Sequence, residues 1–161
     1  MKEITGNLIQ LAKDGSFDAI GHGCNCFCRM KRGIAPLMAE AFGCHNFPLE
    51  SPIYMGDFNK LGQIDGKIIS TYAKPLMVFN MYSQFHWLEA AVHGKTPLDY
   101  TALRMCLRKL NYRMKGMEVG LPRIGCGLAG GKWEAVKEMM IIELKDCNLT
   151  VVSLEDTATT S

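Results

Sequence analysis

Two glycine-rich loops constrain this chain of 161 residues more than any other feature of its sequence. The first loop covers residues 21–35 (GHGCNCFCRMKRGIA) and the second covers residues 122–132 (PRIGCGLAGGK). Each follows a strand-like run and leads into a helix-like run, so its backbone N–H groups gather at a helix N-terminus, where anions bind. The pattern predicts a phosphate-bearing ligand held between the loops. The alternative is that the glycines only permit tight turns.

The rest of the chain alternates strand-like and helix-like runs, which is typical of an α/β domain that binds ligands at the strand ends. The strand-like runs cover residues 1–5, 17–23, 67–72, 76–82, 118–122 and 149–154. The helix-like runs cover residues 33–42, 97–115 and 132–146. We therefore predict one domain over residues 1–154, followed by a polar, disordered tail over residues 155–161.

The clearest helix is predicted over residues 97–115. Its apolar residues recur at the spacing of one helix face, namely Leu98, Ala102, Met105, Cys106 and Leu110. Two earlier strands, residues 67–72 and 76–82, are separated by Ala73-Lys74-Pro75 and suit a hairpin. Residues 43–59 are punctuated by glycine and proline, so they are predicted to be irregular.

The charge balance excludes several classes of protein. Lysine and arginine total 18 against 16 aspartate and glutamate, which gives a net charge of +2. A nucleic-acid partner is not expected, because electrostatic binding to nucleic acid needs a strongly basic face. No apolar run approaches the roughly 18 residues of a membrane span, and charges among the first residues argue against a secretory signal. We expect a monomer in the cytoplasm.

Seven cysteines are the unusual part of the composition. A chain of this length can build a core without disulfides, so we interpret the cysteines as reduced and mostly buried. His22, Cys24, Cys26 and Cys28 alternate along the first loop, which does not fit the spacing of a zinc site. We expect no metal and no cofactor.

Two familiar phosphate-binding motifs fail in the second loop. A P-loop ending at Gly131-Lys132 would need glycine at Cys126 and serine or threonine at Trp133. A cysteine-phosphatase loop starting at Cys126 would need arginine at Lys132, and lysine cannot form the planar bidentate clamp on phosphate.

Three segments instead resemble the binding motifs of macrodomains. Residues 19–25 (AIGHGCN) followed by Gly33-Ile34-Ala35 resemble the first binding loop, and residues 122–128 (PRIGCGL) followed by Trp133-Glu134 resemble the phosphate-binding loop. Residues 4–8 (ITGNL) resemble the motif after the first strand. The wording is most similar to phage and bacterial members related to ADP-ribose-1''-phosphate phosphatases and terminal ADP-ribose glycohydrolases. A phage-encoded chain would act in the host cytoplasm.

The resemblance implies a three-layer α/β/α fold with a central mixed β-sheet and ADP-ribose in a cleft at the strand ends. It implies that Asn7 and Leu8 meet the adenine and that Asn25 holds the distal ribose. The pyrophosphate channel and the phosphate cradle would be formed by Gly33, Ile34, Ala35, Pro122, Ile124, Gly125, Cys126, Gly127 and Leu128.

Four positions depart from the family pattern. Asn7 replaces the usual aspartate, which weakens the expected bond to the adenine amino group. Ala129 stands where the glycohydrolase subgroup has an acidic residue, and residues 80–85 (NMYSQF) hold no counterpart of its lysine nucleophile. His22 stands where many macrodomains have asparagine, whereas the phosphatase-like subgroup carries a histidine there.

The leading hypothesis is therefore a phosphatase that hydrolyses ADP-ribose-1''-phosphate. His22 would activate water or protonate the leaving oxygen, because a histidine pKa near 6.5 suits either role, and Asn25 would orient the ribose. The alternative for His22 is a structural hydrogen bond. Two other functions stay open, a non-catalytic ADP-ribose reader and an enzyme that removes ADP-ribose from a macromolecule.

Overall fold

The computed structural model describes residues 1–50, 53–88 and 96–154, which form six strands and four α-helices. The strands are β1 (Lys2–Thr5), β2 (Ala19–Asn25), β3 (Ile64–Ile69), β4 (Leu76–Gln84), β5 (Glu118–Leu121) and β6 (Asn148–Ser153). The helices are α1 (Leu8–Lys13), α2 (Ala35–Phe42), α3 (Tyr100–Arg113) and α4 (Trp133–Glu143). Two short 3₁₀-helices cover Cys44–Glu50 and Phe58–Lys60.

The strands form one mixed sheet in the order β1-β6-β5-β2-β4-β3. All neighbours are parallel except β3 and β4, which form the predicted antiparallel pair. Successive side chains of a strand point to opposite faces of the sheet. Ala19 and Phe79 accordingly pack with α3 and α4 on one face, while Ile20 and Val78 pack with α1 and α2 on the other. The predicted α/β fold with a central mixed sheet is confirmed.

Strand β2 lies at the middle of the sheet and is parallel to both of its neighbours, β5 and β4. The carboxyl ends of these three strands therefore meet at one edge. Both glycine-rich loops start there, since one follows β2 and the other follows β5. The sheet order thus brings together two loops that are about a hundred residues apart in the sequence.

Several boundaries differ from the prediction for local reasons. Helix α3 begins at Tyr100 rather than at residue 97, because Asp99 caps it by accepting a hydrogen bond from the Ala102 N–H at 2.9 Å. Its buried side is shifted from the predicted stripe, so Met105 is 41% exposed. The buried side consists of Ala102, Leu103, Cys106, Leu107 and Leu110.

Helix α1 was not expected. Asn7, interpreted from the sequence as the end of a strand and a ligand contact, caps this helix. The Cys44–Glu50 3₁₀-helix lies in the segment predicted to be irregular, and the Phe58–Lys60 3₁₀-helix begins at the end of that segment. The predicted tail, residues 155–161, lies outside the described residues. No α-helix in the described ranges is long and apolar enough to cross a membrane.

The cap at Asp99 gives a test of how α3 is held. Asp99→Ala removes the acceptor for the Ala102 N–H, and we expect it to lower the free energy of unfolding by about 1 kcal/mol. Asp99→Asn keeps a capping oxygen and should cost much less. Urea unfolding of the three proteins measures the difference, and an alanine variant as stable as the wild type would contradict the assigned cap.

Candidate functional site

A cavity of about 410 Å³ opens at the edge where β2, β4 and β5 end. Its walls come from the end of β2 with the loop after it, from Gln84 and Trp87 after β4, and from the loop after β5. Nine of the residues predicted to bind the ligand lie in these walls. They are Asn25, Gly33, Ile34, Ala35, Pro122, Ile124, Gly125, Gly127 and Leu128.

The charged side chains of the cavity have one sign. Arg29, Lys31, Arg32 and Arg123 line it, and none of the described lining residues is acidic. Although the whole chain is near neutral, this edge presents four positive charges. Such a wall attracts an anionic ligand and disfavours a cationic one.

Two of the arginines are held by aromatic rings. The guanidinium of Arg29 lies 4.6 Å from the centre of the Trp87 ring, and that of Arg123 lies 4.9 Å from the centre of the Trp133 ring. Arg29 and Trp87 also border a second, more open cavity of about 630 Å³. Stacking limits the freedom of a guanidinium without using its N–H donors, which leaves those donors available for phosphate oxygens.

Asn25 organises the first loop. Its Oδ1 accepts hydrogen bonds from the N–H groups of Phe27 and Arg29, both at 3.1 Å, and its Nδ2 donates to the Arg29 carbonyl at 3.0 Å. The side chain is only 7% exposed. This amide oxygen, predicted to contact a ribose, therefore already accepts two hydrogen bonds within its own loop. Asn25 instead shapes the loop and places Arg29.

The same loop enters α2 through a glycine that the geometry requires. Gly33 has a φ of +62°, in the left-handed region that favours glycine. Ile34 precedes α2 without a side-chain cap, and Pro36 lies in the first turn. The N-terminus of α2 thus leaves its first backbone donors at the cavity wall, since Gly33, Ile34 and Ala35 all line it.

The loop after β5 folds back on itself and presents further donors. The Gly131 N–H donates to the Gly125 carbonyl at 2.7 Å, and the Gly130 N–H donates to the Gly127 carbonyl at 3.0 Å. Among the described residues, the N–H groups of Gly127 and Leu128 have no acceptor. Unpaired N–H groups in a curved loop make a concave anion site.

Position 125 also requires glycine, because its φ is +72° and a Cβ there would lie 2.6 Å from the Leu98 Cδ1.

Cys126, predicted to help hold the phosphates, does not line the cavity. Its thiol donates to the Ile124 carbonyl, with Sγ and O 3.4 Å apart, and burial raises its pKa to about 11. A thiol in this state is a poor nucleophile. The thiol of Cys126 therefore supports the loop and is not suited to attack a ligand.

The structure places His22, predicted to be catalytic, away from the cavity. The imidazole is fully buried, does not line the cavity, and its burial lowers its pKa to about 4. In this arrangement the ring is out of reach of a ligand in the cavity, so it cannot exchange a proton with that ligand directly. The structural alternative fits, because His22 Nε2 lies 2.8 Å from Asn80 Oδ1.

The tautomer of His22 follows from its partner. The Asn80 amide donates through Nδ2 to the Cys44 carbonyl at 2.9 Å and to Asp65 Oδ1 at 2.8 Å, so its Oδ1 must be the acceptor. His22 is therefore protonated at Nε2. Tyr82 also donates to Asp65 Oδ2, and this network ties β2, β3, β4 and the Cys44–Glu50 helix together beneath the loop.

Asn7 and Leu8, predicted to meet the adenine, have structural roles of their own. Asn7 is exposed at the start of α1, where its Oδ1 accepts from the Gln10 N–H at 3.1 Å. Leu8 is buried and packs over Gly120, where a Cβ would lie 2.9 Å from its Cδ1. Neither residue lines the cavity.

Several lining residues were not predicted. Arg29, Lys31 and Arg32 were visible as a basic run inside the first loop, and Arg123 begins the second. Gln84 and Trp87 carry no local signal, because they reach the cavity through the pairing of β4 with β2.

No group of three or more histidine, cysteine, aspartate or glutamate side chains in the described part of the chain could hold a metal ion. All seven cysteines are free thiols.

The buried His22 predicts an unusual titration. We expect its ring to stay neutral, with the proton on Nε2, from about pH 5 to 8, the range in which histidine normally titrates. Below about pH 6.5 the unfolded chain takes a proton that the folded chain refuses, so this group's contribution to stability falls as the pH drops towards 4. Imidazole ¹⁵N NMR checks the tautomer, with His22→Asn to assign the signal; titration near 6.5 would contradict the buried geometry.

No protein-family model matches this chain. An uncharacterised 17.5 kDa protein from the tk–vs intergenic region of Enterobacteria phage T4 is 27% identical over 164 residues, which cover 96% of this chain and 97% of that protein. A solved protein from Bacteroides thetaiotaomicron is 27% identical, with a TM-score of 0.73 over 96% of this chain and 99% of its own.

Solved macrodomains share the fold at lower identity. The macrodomain of Thermus aquaticus DarG has a TM-score of 0.67 at 20% identity, covering 96% of this chain and 97% of its own. Thermosipho africanus DarTG in complex with ADP-ribose has a TM-score of 0.70 at 13% identity, covering 98% of this chain and 43% of its own. With a mixed six-stranded sheet in the described residues and these neighbours, the chain has the macrodomain fold that its sequence motifs resemble.

Proposed function

We propose that this chain binds ADP-ribose, with the diphosphate held between its two glycine-rich loops. The observation that carries the proposal is the lining of the cavity. Four cationic side chains and two sets of unpaired backbone N–H groups face a cavity in which no described lining residue is acidic. The complex of Thermosipho africanus DarTG with ADP-ribose supports the same ligand for a chain of this fold.

The proposed contacts divide between the two loops. Gly33, Ile34 and Ala35 would meet one phosphate at the N-terminus of α2, and Gly125, Gly127 and Leu128 would cradle the other. Pro122 and Ile124 would form apolar wall, and Asn25 would hold the first loop in place. Arg29 and Arg123 would neutralise the diphosphate from the cavity rim.

We further propose that the site hydrolyses ADP-ribose-1''-phosphate. In that reaction the oxygen of a water forms a bond to phosphorus, the bond between phosphorus and the ribose oxygen breaks, and the leaving oxygen gains a proton from the attacking water. Phosphoryl transfer depends mainly on positioning and charge stabilisation. The cationic lining supplies both without His22.

Removal of ADP-ribose from a macromolecule is less well supported. The subgroup mechanism needs a lysine nucleophile and an acidic partner. Here Gln84 and Ala129 line the cavity, and neither side chain ionises. A non-catalytic reader needs only the binding groups, so it is the second candidate. The relative from phage T4 and the seven free thiols support action in the reducing cytoplasm of an infected host, where we propose that the chain acts as a monomer.

Binding can be tested at Gly127. A Cβ there would meet no atom within 4 Å, so Gly127→Glu should fold while placing a carboxylate beside the diphosphate. We expect ADP-ribose affinity, measured by titration calorimetry, to fall about tenfold or more. Thr101→Glu adds the same charge at an exposed position of α3 and serves as the control. A wild type that binds no ADP-ribose would refute the proposed function.

Catalysis can be tested by phosphate release from ADP-ribose-1''-phosphate. We expect turnover by the wild type and nearly equal turnover by folded His22→Asn, instead of the roughly hundredfold loss that follows removal of a general acid or base. Binding of ADP-ribose without phosphate release would favour the reader. Loss of turnover in His22→Asn with unchanged stability would restore His22 to the mechanism.

A further inference from the structure

The cavity has many hydrogen-bond donors and few side-chain acceptors. Its cations and backbone N–H groups are donors, which suit phosphate oxygens. A sugar hydroxyl also needs an acceptor for its proton. Among the described lining residues, Asn25 and Gln84 are the two whose side chains carry a carbonyl oxygen.

These two amides lie side by side but are differently engaged. Asn25 pairs with Gln84 across β2 and β4, just after a register shift between Cys24 and Asn25. Such irregularities are common beside functional sites, where they redirect a side chain. Asn25 Oδ1 already accepts two hydrogen bonds from the N–H groups of its own loop.

Gln84 keeps its oxygen free. Its Nε2 donates to the His86 carbonyl at 3.0 Å, which fixes the orientation of the amide, and Oε1 accepts no hydrogen bond from the described residues. The backbone is held on both sides, since the Cys26 N–H donates to the Gln84 carbonyl at 3.1 Å and Gln84 bridges to Leu98. Gln84 therefore presents a fixed, unused acceptor in a cavity rich in donors.

We infer that Gln84 determines specificity for the sugar of the ligand, by accepting a hydrogen bond from a ribose hydroxyl next to the diphosphate. This inference rests on the proposed binding of ADP-ribose and adds which group reads the ribose. It assigns to Gln84 the contact that the sequence assigned to Asn25. A nucleotide that has the diphosphate but lacks the terminal sugar has no ribose hydroxyl there to donate a hydrogen bond to Gln84.

Comparing the binding of two nucleotides distinguishes a contact with the sugar from a structural role of Gln84. ADP-ribose carries the terminal ribose, and ADP shares the adenosine and the diphosphate without it. Gln84→Met keeps an unbranched side chain but removes both amide groups. We expect it to weaken ADP-ribose binding about three- to tenfold, the range for one neutral hydrogen bond, and to leave ADP binding unchanged.

A second variant tests whether the acceptor oxygen alone is sufficient, without the amide NH₂ group. Gln84→Glu retains an acceptor oxygen and adds a negative charge beside the phosphates. It should weaken ADP, whose terminal phosphate carries the larger negative charge, at least as much as ADP-ribose. The dissociation constant of ADP divided by that of ADP-ribose should therefore not fall in Gln84→Glu, whereas Gln84→Met should lower it. Gln63→Met makes the same substitution at another half-buried glutamine, outside the cavity, and should change neither affinity.

The outcomes of calorimetry on these proteins are distinct. Equal weakening of ADP-ribose and ADP in Gln84→Met would show that the residue only positions residues 86–87 through the His86 carbonyl, and would overturn the inference. Unchanged affinity for both would overturn it as well. If Gln84→Met does not fold, a lowered ratio in Gln84→Glu overturns it, and a ratio that is kept or raised supports it. A wild type that binds neither nucleotide refutes the proposed function, and the inference falls with it.

Discussion

The parallel pairing of β2 with both β5 and β4 is the constraint on which the candidate site depends. Parallel neighbours end at the same edge, so the chain after β2, after β4 and after β5 must emerge together. Two of these connections are glycine-rich and lead into α2 and α4. The site is therefore a consequence of strand order, and its residues need not be close in sequence.

The interior beneath this edge is tied together by buried polar groups. His22, Asn80, Asp65 and Tyr82 satisfy one another across β2, β3 and β4. Burial raises the pKa of Asp65, while its bonds from Tyr82 and Asn80 oppose that rise. Unpaired, such groups would be costly in the core; fully paired, they specify one arrangement of the strands. His22, which belongs to the motif of the first loop, thus stabilises the strands beneath that loop.

The fold was largely predictable because it rests on patterns that a single sequence carries. Alternating strand and helix runs and two glycine-rich junctions indicated the α/β architecture, and the three motifs indicated the macrodomain fold. The lining was predicted where it is made of backbone, as at Gly33 and Gly127. It was not predicted where a side chain's direction decides its role. Alternation along β2 turns His22 into the core, and a cap at α1 engages Asn7, while Gln84 reaches the cavity only through strand pairing.

The chemistry of the lining favours reactions that need charge stabilisation over those that need proton transfer. In the described residues the cavity offers arginine, lysine, amide and backbone groups, and the thiols of Cys24 and Cys28, whose pKa burial raises. None of these serves readily as a general acid or base near neutral pH. Cleavage of a glycosidic bond requires a proton for the leaving group or a nucleophile at the sugar. Displacement at phosphorus places its charge on oxygens, where arginines and N–H groups stabilise it directly. The groups around the cavity therefore suit chemistry at the phosphates of the proposed ligand, and Gln84 suits the proposed contact with its sugar.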